Sequence, residues 1–78
     1  MTTRDQVVEV LRALLSRHKR PVGDVDLDTP LYAEGLGLDS LQAAELSGML
    51  EDRLGHDPYT SGEVPQTVGE IVAYYERR

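Results

Sequence analysis

An all-α fold is predicted for this 78-residue chain by three observations. Three capping-box patterns, Thr3-Arg4-Asp5-Gln6, Asp39-Ser40-Leu41-Gln42 and Thr67-Val68-Gly69-Glu70, each stand at the head of an apolar stretch. Behind each, Leu, Val and Ile recur at helical three- and four-residue spacing. No segment alternates as a strand does. The predicted architecture is a four-helix bundle, three main helices plus one short helix, with a long loop between helices one and two. Residues 1–78 read as one small domain, too short to enclose a roomy active site.

Each element has its own signals. Helix one carries Val7, Val10/Leu11, Leu14 and Leu15 on a buried stripe. It should run to about His18, because Arg20-Pro21 disfavours continuation. Arg17, Lys19 and Arg20 complement the dipole at its end. Pro21 to Leu38 lack helical periodicity, and so long a connection in so small a domain is usually functional. Val25, Leu27, Leu31, Leu36 and Leu38 are its candidate anchors to the bundle. Helix two turns Ala43, Leu46, Leu50 and Leu54 inward and stops at Gly55, a natural C′ residue. The connection from His56 to Gln66 contains Pro58, Gly62 and Pro65, with room for one short helical turn near Tyr59–Glu63. Helix three places Val68, Ile71, Val72 and Tyr75 on one face and frays near Arg77.

Composition narrows the function. With no cysteine there is no disulfide framework, thiolate metal site or cysteine nucleophile. With neither Phe nor Trp, the core rests mainly on Leu and Val. No apolar run approaches the ~20 residues of a membrane span and the N-terminus does not resemble a signal peptide, so a soluble, cytoplasmic monomer is expected. The net charge of −6 is unevenly spread, +3 over residues 1–20 and −8 over residues 24–57. An acidic block that dense argues against nucleic acid, whose phosphates it would repel, and favours steered encounter with basic protein surfaces.

Catalysis by the chain itself has little support. A serine hydrolase needs a base against the hydroxyl and an oxyanion hole, and neither a Gly-x-Ser-x-Gly elbow nor a placed histidine is present. His18 and His56 read as solvent-facing side chains without evident partners. Asp24, Asp26 and Asp28 imitate the first half of an EF-hand loop. The pattern then fails at Thr29, where a glycine is required, and at Gly35, where a bidentate Glu belongs. A solvated acidic turn before Pro30 is the reading, so neither a catalytic nor a metal-binding residue is assigned.

Ser40 is the candidate site. It stands where Gly35-Leu36-Gly37-Leu38 gives way to a capped helix, followed by Glu45-Leu46, Leu50-Glu51 and Leu54-Gly55. With these residues in this order, the chain resembles the acyl carrier proteins from its first helix to Tyr75. The resemblance implies a four-helix bundle in which Ser40 carries a covalent 4′-phosphopantetheine arm derived from coenzyme A, with acyl groups held on the arm's thiol. Asp39 is then the adjacent acid, capping the helix and assisting the metal-dependent transfer from coenzyme A. Leu41 is the exposed apolar contact, and Glu45, Glu51 and Asp52 form the acidic face. The implied partners are a phosphopantetheinyl transferase and ketosynthases, acyltransferases or other acyl-processing enzymes with basic docking patches.

Two departures from the family pattern stand out. Many members have an acid where this chain has Gly35, with Glu34 one step earlier, so the approach loop is expected to differ in shape or mobility. Ala44 and Gly48 replace larger apolar residues and form with Ser40 a small-residue stripe at i, i+4 and i+8, a candidate close-approach surface for a partner. These departures tilt the expectation toward a stand-alone carrier of polyketide or other specialised metabolism, such as antibiotic biosynthesis, over housekeeping fatty-acid synthesis. A peptidyl or aminoacyl carrier is the nearest rival, although Leu38-Asp39 speaks for the acyl type. An acidic helical interaction module without a prosthetic group is the rival from another class.

Overall fold

The computed structural model describes residues 2–20, 23, 25–32 and 35–77. Its regular structure is three helices, α1 (Thr3–Arg17), α2 (Ser40–Leu54) and α3 (Val68–Glu76). The described residues form no strand, only an isolated antiparallel bridge between Pro30 and Thr67. Both α2 and α3 pack against α1. The radius of gyration, 11.2 Å, is that of a compact globule of this length.

The first helix begins one residue earlier than its predicted box. Thr2, not Thr3, is the N-cap: its hydroxyl accepts from the Asp5 amide at 3.1 Å, and the Asp5 carboxylate accepts from the Thr2 amide at 3.3 Å. This register puts a carboxylate at N3, where the dipole favours negative charge and Gln6 would supply none. Val7, Val10, Leu11, Leu14 and Leu15 are all buried. The helix ends in a Schellman motif, with the Lys19 amide donating to Ser16 O (3.0 Å) and the Arg20 amide to Leu15 O (2.9 Å). Lys19 takes the left-handed conformation usually given to glycine (φ 56°). Pro21, the expected stop signal, lies outside the described residues.

The segment between α1 and α2 is tied to the start of α3 by backbone bonds. The Val68 amide donates to Thr29 O at 3.0 Å, Leu31 to Gln66 O at 2.9 Å and Gly69 to Leu27 O at 2.8 Å. Val25, Leu31 and Leu38 are buried, and Leu36 is half-buried against the core. Leu27 departs from expectation: its side chain is 41% exposed, and its carbonyl serves instead as a cap for α3. That contact needs a glycine opposite, since a Cβ at Gly69 would meet Leu27 O at 2.8 Å. Asp26 organises its own turn, accepting from the Asp28 amide and the Thr29 hydroxyl. Asp24 lies outside the described residues, among which no group of three carboxylate or histidine side chains gathers as metal ligands would.

Along α2, Leu46 and Leu50 are buried, Ala43 and Leu54 half-buried, and Gly55 closes the helix in the left-handed region (φ 89°). The short helix expected near Tyr59–Glu63 is absent; residues 58–62 form turns instead, closed by Gly62 donating to Tyr59 O and Glu63 to Pro58 O. The buried Asp57 carboxylate organises them, accepting from the Thr60 amide (3.0 Å), the Thr60 hydroxyl (2.7 Å) and the Ser47 hydroxyl on α2 (2.8 Å). A carboxylate that draws local amides and hydroxyls to itself offers the backbone an alternative to a helical turn. The four-helix expectation is therefore corrected to three helices among the described residues.

In α3, Val68, Ile71, Val72 and Tyr75 are buried as expected, and Tyr74 joins them. The Tyr74 hydroxyl shares a 2.7 Å hydrogen bond with Ser61, and Tyr75 donates to His56 O at 2.6 Å. Both phenols thereby keep a polar partner while burying their rings. Thr67 caps the helix through the Glu70 amide, but Glu70 reaches back to the Gln66 amide, so the third box is displaced by one residue.

Candidate functional site

Asp39, Ser40 and Leu41 form the first turn of α2, and all three are exposed. Asp39 is the N-cap. Its carboxylate accepts from the Gln42 amide at 2.8 Å, and the Gln42 side-chain oxygen accepts from the Asp39 amide at 3.1 Å. The reciprocal box satisfies two of the four orphan amides of the helix start. The other two belong to Ser40 and Leu41, and among the described residues neither they nor the Ser40 hydroxyl has a hydrogen-bond partner. The site therefore presents a free hydroxyl beside two free N–H groups at the positive end of a helix, an arrangement that stabilises an anion there.

The approach to this turn is held from below. Leu38 is buried and its amide donates to Leu31 O at 3.0 Å. Gly35 and Gly37 both donate to Tyr32 O. At Gly35 a Cβ would fall inside the Pro30 carbonyl. The missing acid at this position thus has a steric reason: no side chain fits unless the loop shifts. Glu34 lies outside the described residues. Gly37 is in the left-handed region (φ 68°), and the Arg20 guanidinium donates to its carbonyl at 2.9 Å.

The remaining candidate residues follow α2 outward. Leu41 is 67% exposed, and Ala44, Gly48, Glu51 and Asp52 are exposed on the same arc as Ser40. A Cβ at Gly48 would meet nothing within 4 Å, so neighbouring atoms do not require glycine there. Glu45 differs from the rest of the acidic set. Its carboxylate binds His18 Nε2 at 2.8 Å and Arg17 at 3.2 Å, joining α2 to the end of α1. Burial pushes this carboxyl up, but the hydrogen bonds from His18 and Arg17, with their charges, outweigh burial and hold it below its ordinary value. His18 accordingly has a partner that sequence inspection does not reveal, whereas His56 is exposed and stacks its ring near Tyr75. Sequence reasoning also missed Arg20 as a neighbour of the site. An arginine at a helix end looks like any dipole-complementing base, and nothing local signals its bond to Gly37, seventeen positions on.

A family profile, the phosphopantetheine attachment site, matches residues 5–61. The chain belongs to that family, whose members carry covalently attached 4′-phosphopantetheine and serve as carrier domains for phosphopantetheinyl transferases and acyl-processing enzymes. No curated protein and no solved structure matches it significantly. The residues present fit the prosthetic group, because the Ser40 hydroxyl is accessible and the free amides beside it suit a phosphodiester. No described helix is long and apolar enough to cross a membrane.

Proposed function

We propose that Ser40 is the attachment residue and that the chain works as an acyl carrier, holding intermediates for enzymes that dock on α2. When bound, the arm supplies a thiol that carries acyl groups as thioesters. The protein's own residues anchor and present it. Ser40 provides the ester oxygen, the first-turn amides face the phosphodiester, and Asp39 holds the turn in register while placing a carboxylate beside the serine. Leu41 offers an apolar contact, and Glu51 and Asp52 offer charge for basic partner surfaces. The exposure of Ser40 at the first position of a doubly capped helix is the observation that carries this reading.

Polyketide or other specialised metabolism is favoured over fatty-acid synthesis by the small residues Ala44 and Gly48 on the outer face of α2 and by Gly35, where a glycine packed against Pro30 replaces the acid of many family members. Leu38-Asp39 before the serine favours acyl over aminoacyl cargo. The test is incubation with coenzyme A, Mg²⁺ and a broad-specificity phosphopantetheinyl transferase, followed by intact mass measurement. One phosphopantetheine is expected on the wild-type chain and none on Ser40→Ala. A gain that survives Ser40→Ala would refute the assignment. Asp39→Asn keeps a capping oxygen and removes the charge, so slower modification without loss of stability would separate the two roles of Asp39.

A further inference from the structure

We infer that Arg20 is a positioning residue for the modification of Ser40, a conclusion that rests on the attachment role proposed above. The Schellman turn at the end of α1 places the Arg20 side chain, partly buried, against the approach to α2. From there one guanidinium nitrogen donates to Gly37 O at 2.9 Å and, at 3.4 Å, to the side-chain oxygen of Gln42. That same Gln42 oxygen accepts the Asp39 amide in the capping box. Arg20 thus grips both sides of the Leu38–Leu41 segment, three residues before Ser40 and two residues after it.

The fit is built at both ends. At Gly37 a Cβ would meet Arg20 Nη2 at 2.6 Å, so a side chain there would push the guanidinium off its present position, besides straining the left-handed backbone. A planar guanidinium can serve two acceptors in fixed directions, which a single ammonium does less well. None of these contacts involves the outer arc of α2, where Leu41, Glu51 and Asp52 stand. Loss of the grip should therefore spoil the aim of the hydroxyl inside a docked complex and leave docking itself intact. Misplacement of a reacting group by about 1 Å can cost up to ~100-fold in rate.

The experiment measures transferase kinetics for Arg20→Met, Arg20→Lys and Gly37→Ala, with amide hydrogen exchange on the same unmodified proteins. Expected for Arg20→Met and Gly37→Ala is a kcat about tenfold lower with the KM for the carrier unchanged. Faster exchange should be confined to Gly37–Ala43, and Arg20→Lys should fall between Arg20→Met and wild type. Gly37→Ala disturbs the same contact from the other side, so the test stands if one variant folds poorly. Folded variants with wild-type kcat would overturn the inference while leaving Ser40 as the attachment residue. So would a loss that tracks faster exchange throughout α1 and α3, since that marks a general stability role. A wild-type chain that gains no mass at Ser40 would remove both readings together.

Discussion

At the residue scale, Asp57 combines a structural duty with a pH dependence. Its side chain is 1% exposed, yet it is a carboxylate. Burial pushes its pKa up, but the Thr60 hydroxyl and amide, Ser47 and the Tyr59 amide outweigh burial and hold it below its ordinary value of 3.8. The folded state then binds the proton less readily than the unfolded chain does. The resulting stability is complete above the unfolded value and is lost as pH falls through the lower folded one. Asp57→Asn should therefore make stability less dependent on pH below about 4, read by chemical denaturation across that range. Asp57→Ala should cost about 2 kcal/mol at neutral pH, by stranding Ser47 and the Thr60 amide. Pro58 marks a connection in the sequence, but nothing there singles out Asp57 or its Ser47 partner. It comes from α2, ten positions back, and only the packing brings it near.

At the element scale, α2 is defined at both ends by residues legible in the sequence and is weakened in its middle. Asp39 and Gly55 cap it with the expected chemistry, and Gly48 lies in its interior at an exposed position where a methyl group has open space. Gly48→Ala should stabilise the protein by about 1 kcal/mol, which for a domain of this size raises Tm by roughly 4–8 °C. Thermal unfolding checks this directly. Should the stabilised variant still be modified and acylated at the wild-type rate, the small-residue stripe has no role in partner approach. The boundaries of α1 and α3 were less legible. Thr2 and Thr3 compete for one cap, and the Glu70 side chain chooses between two adjacent amides. Neighbouring residues of the same type offer the same cap chemistry, so pattern alone does not rank such choices.

At the scale of the whole molecule, folding sorts the charges that the sequence only counts. The basic N-terminal segment meets the acidic middle at Arg17/His18–Glu45, so one acid of that block is matched within the chain, while Glu9 takes up Arg53, the one base of the block. Asp39, Glu51 and Asp52 remain exposed along α2. Reversing Glu51 and Asp52 to Lys should slow modification at low ionic strength and flatten its salt dependence, because steering acts on encounter and is screened over about 10 Å at 0.1 M. Glu45→Gln should change encounter less, since its carboxylate already faces two bases. Rates measured at two ionic strengths for both variants decide this; equal effects would show that the internal pairing does not shield Glu45 from partners.

The helical class, the three helix cores, the cap at Asp39 and the serine it precedes all follow from the sequence. Each depends on interactions within about four residues, which spacing and side-chain type report directly. Tertiary structure decided what lies between the helices. The loop before Ser40 is closed by bonds from Leu31 to Gln66 and from Arg20 to Gly37, and the turn after α2 is shaped by Asp57 with Ser47. These contacts join residues far apart in the chain, and each partner looks ordinary in its own neighbourhood. Only the docking of α2 and α3 on α1 brings them together beneath the turn that holds Ser40.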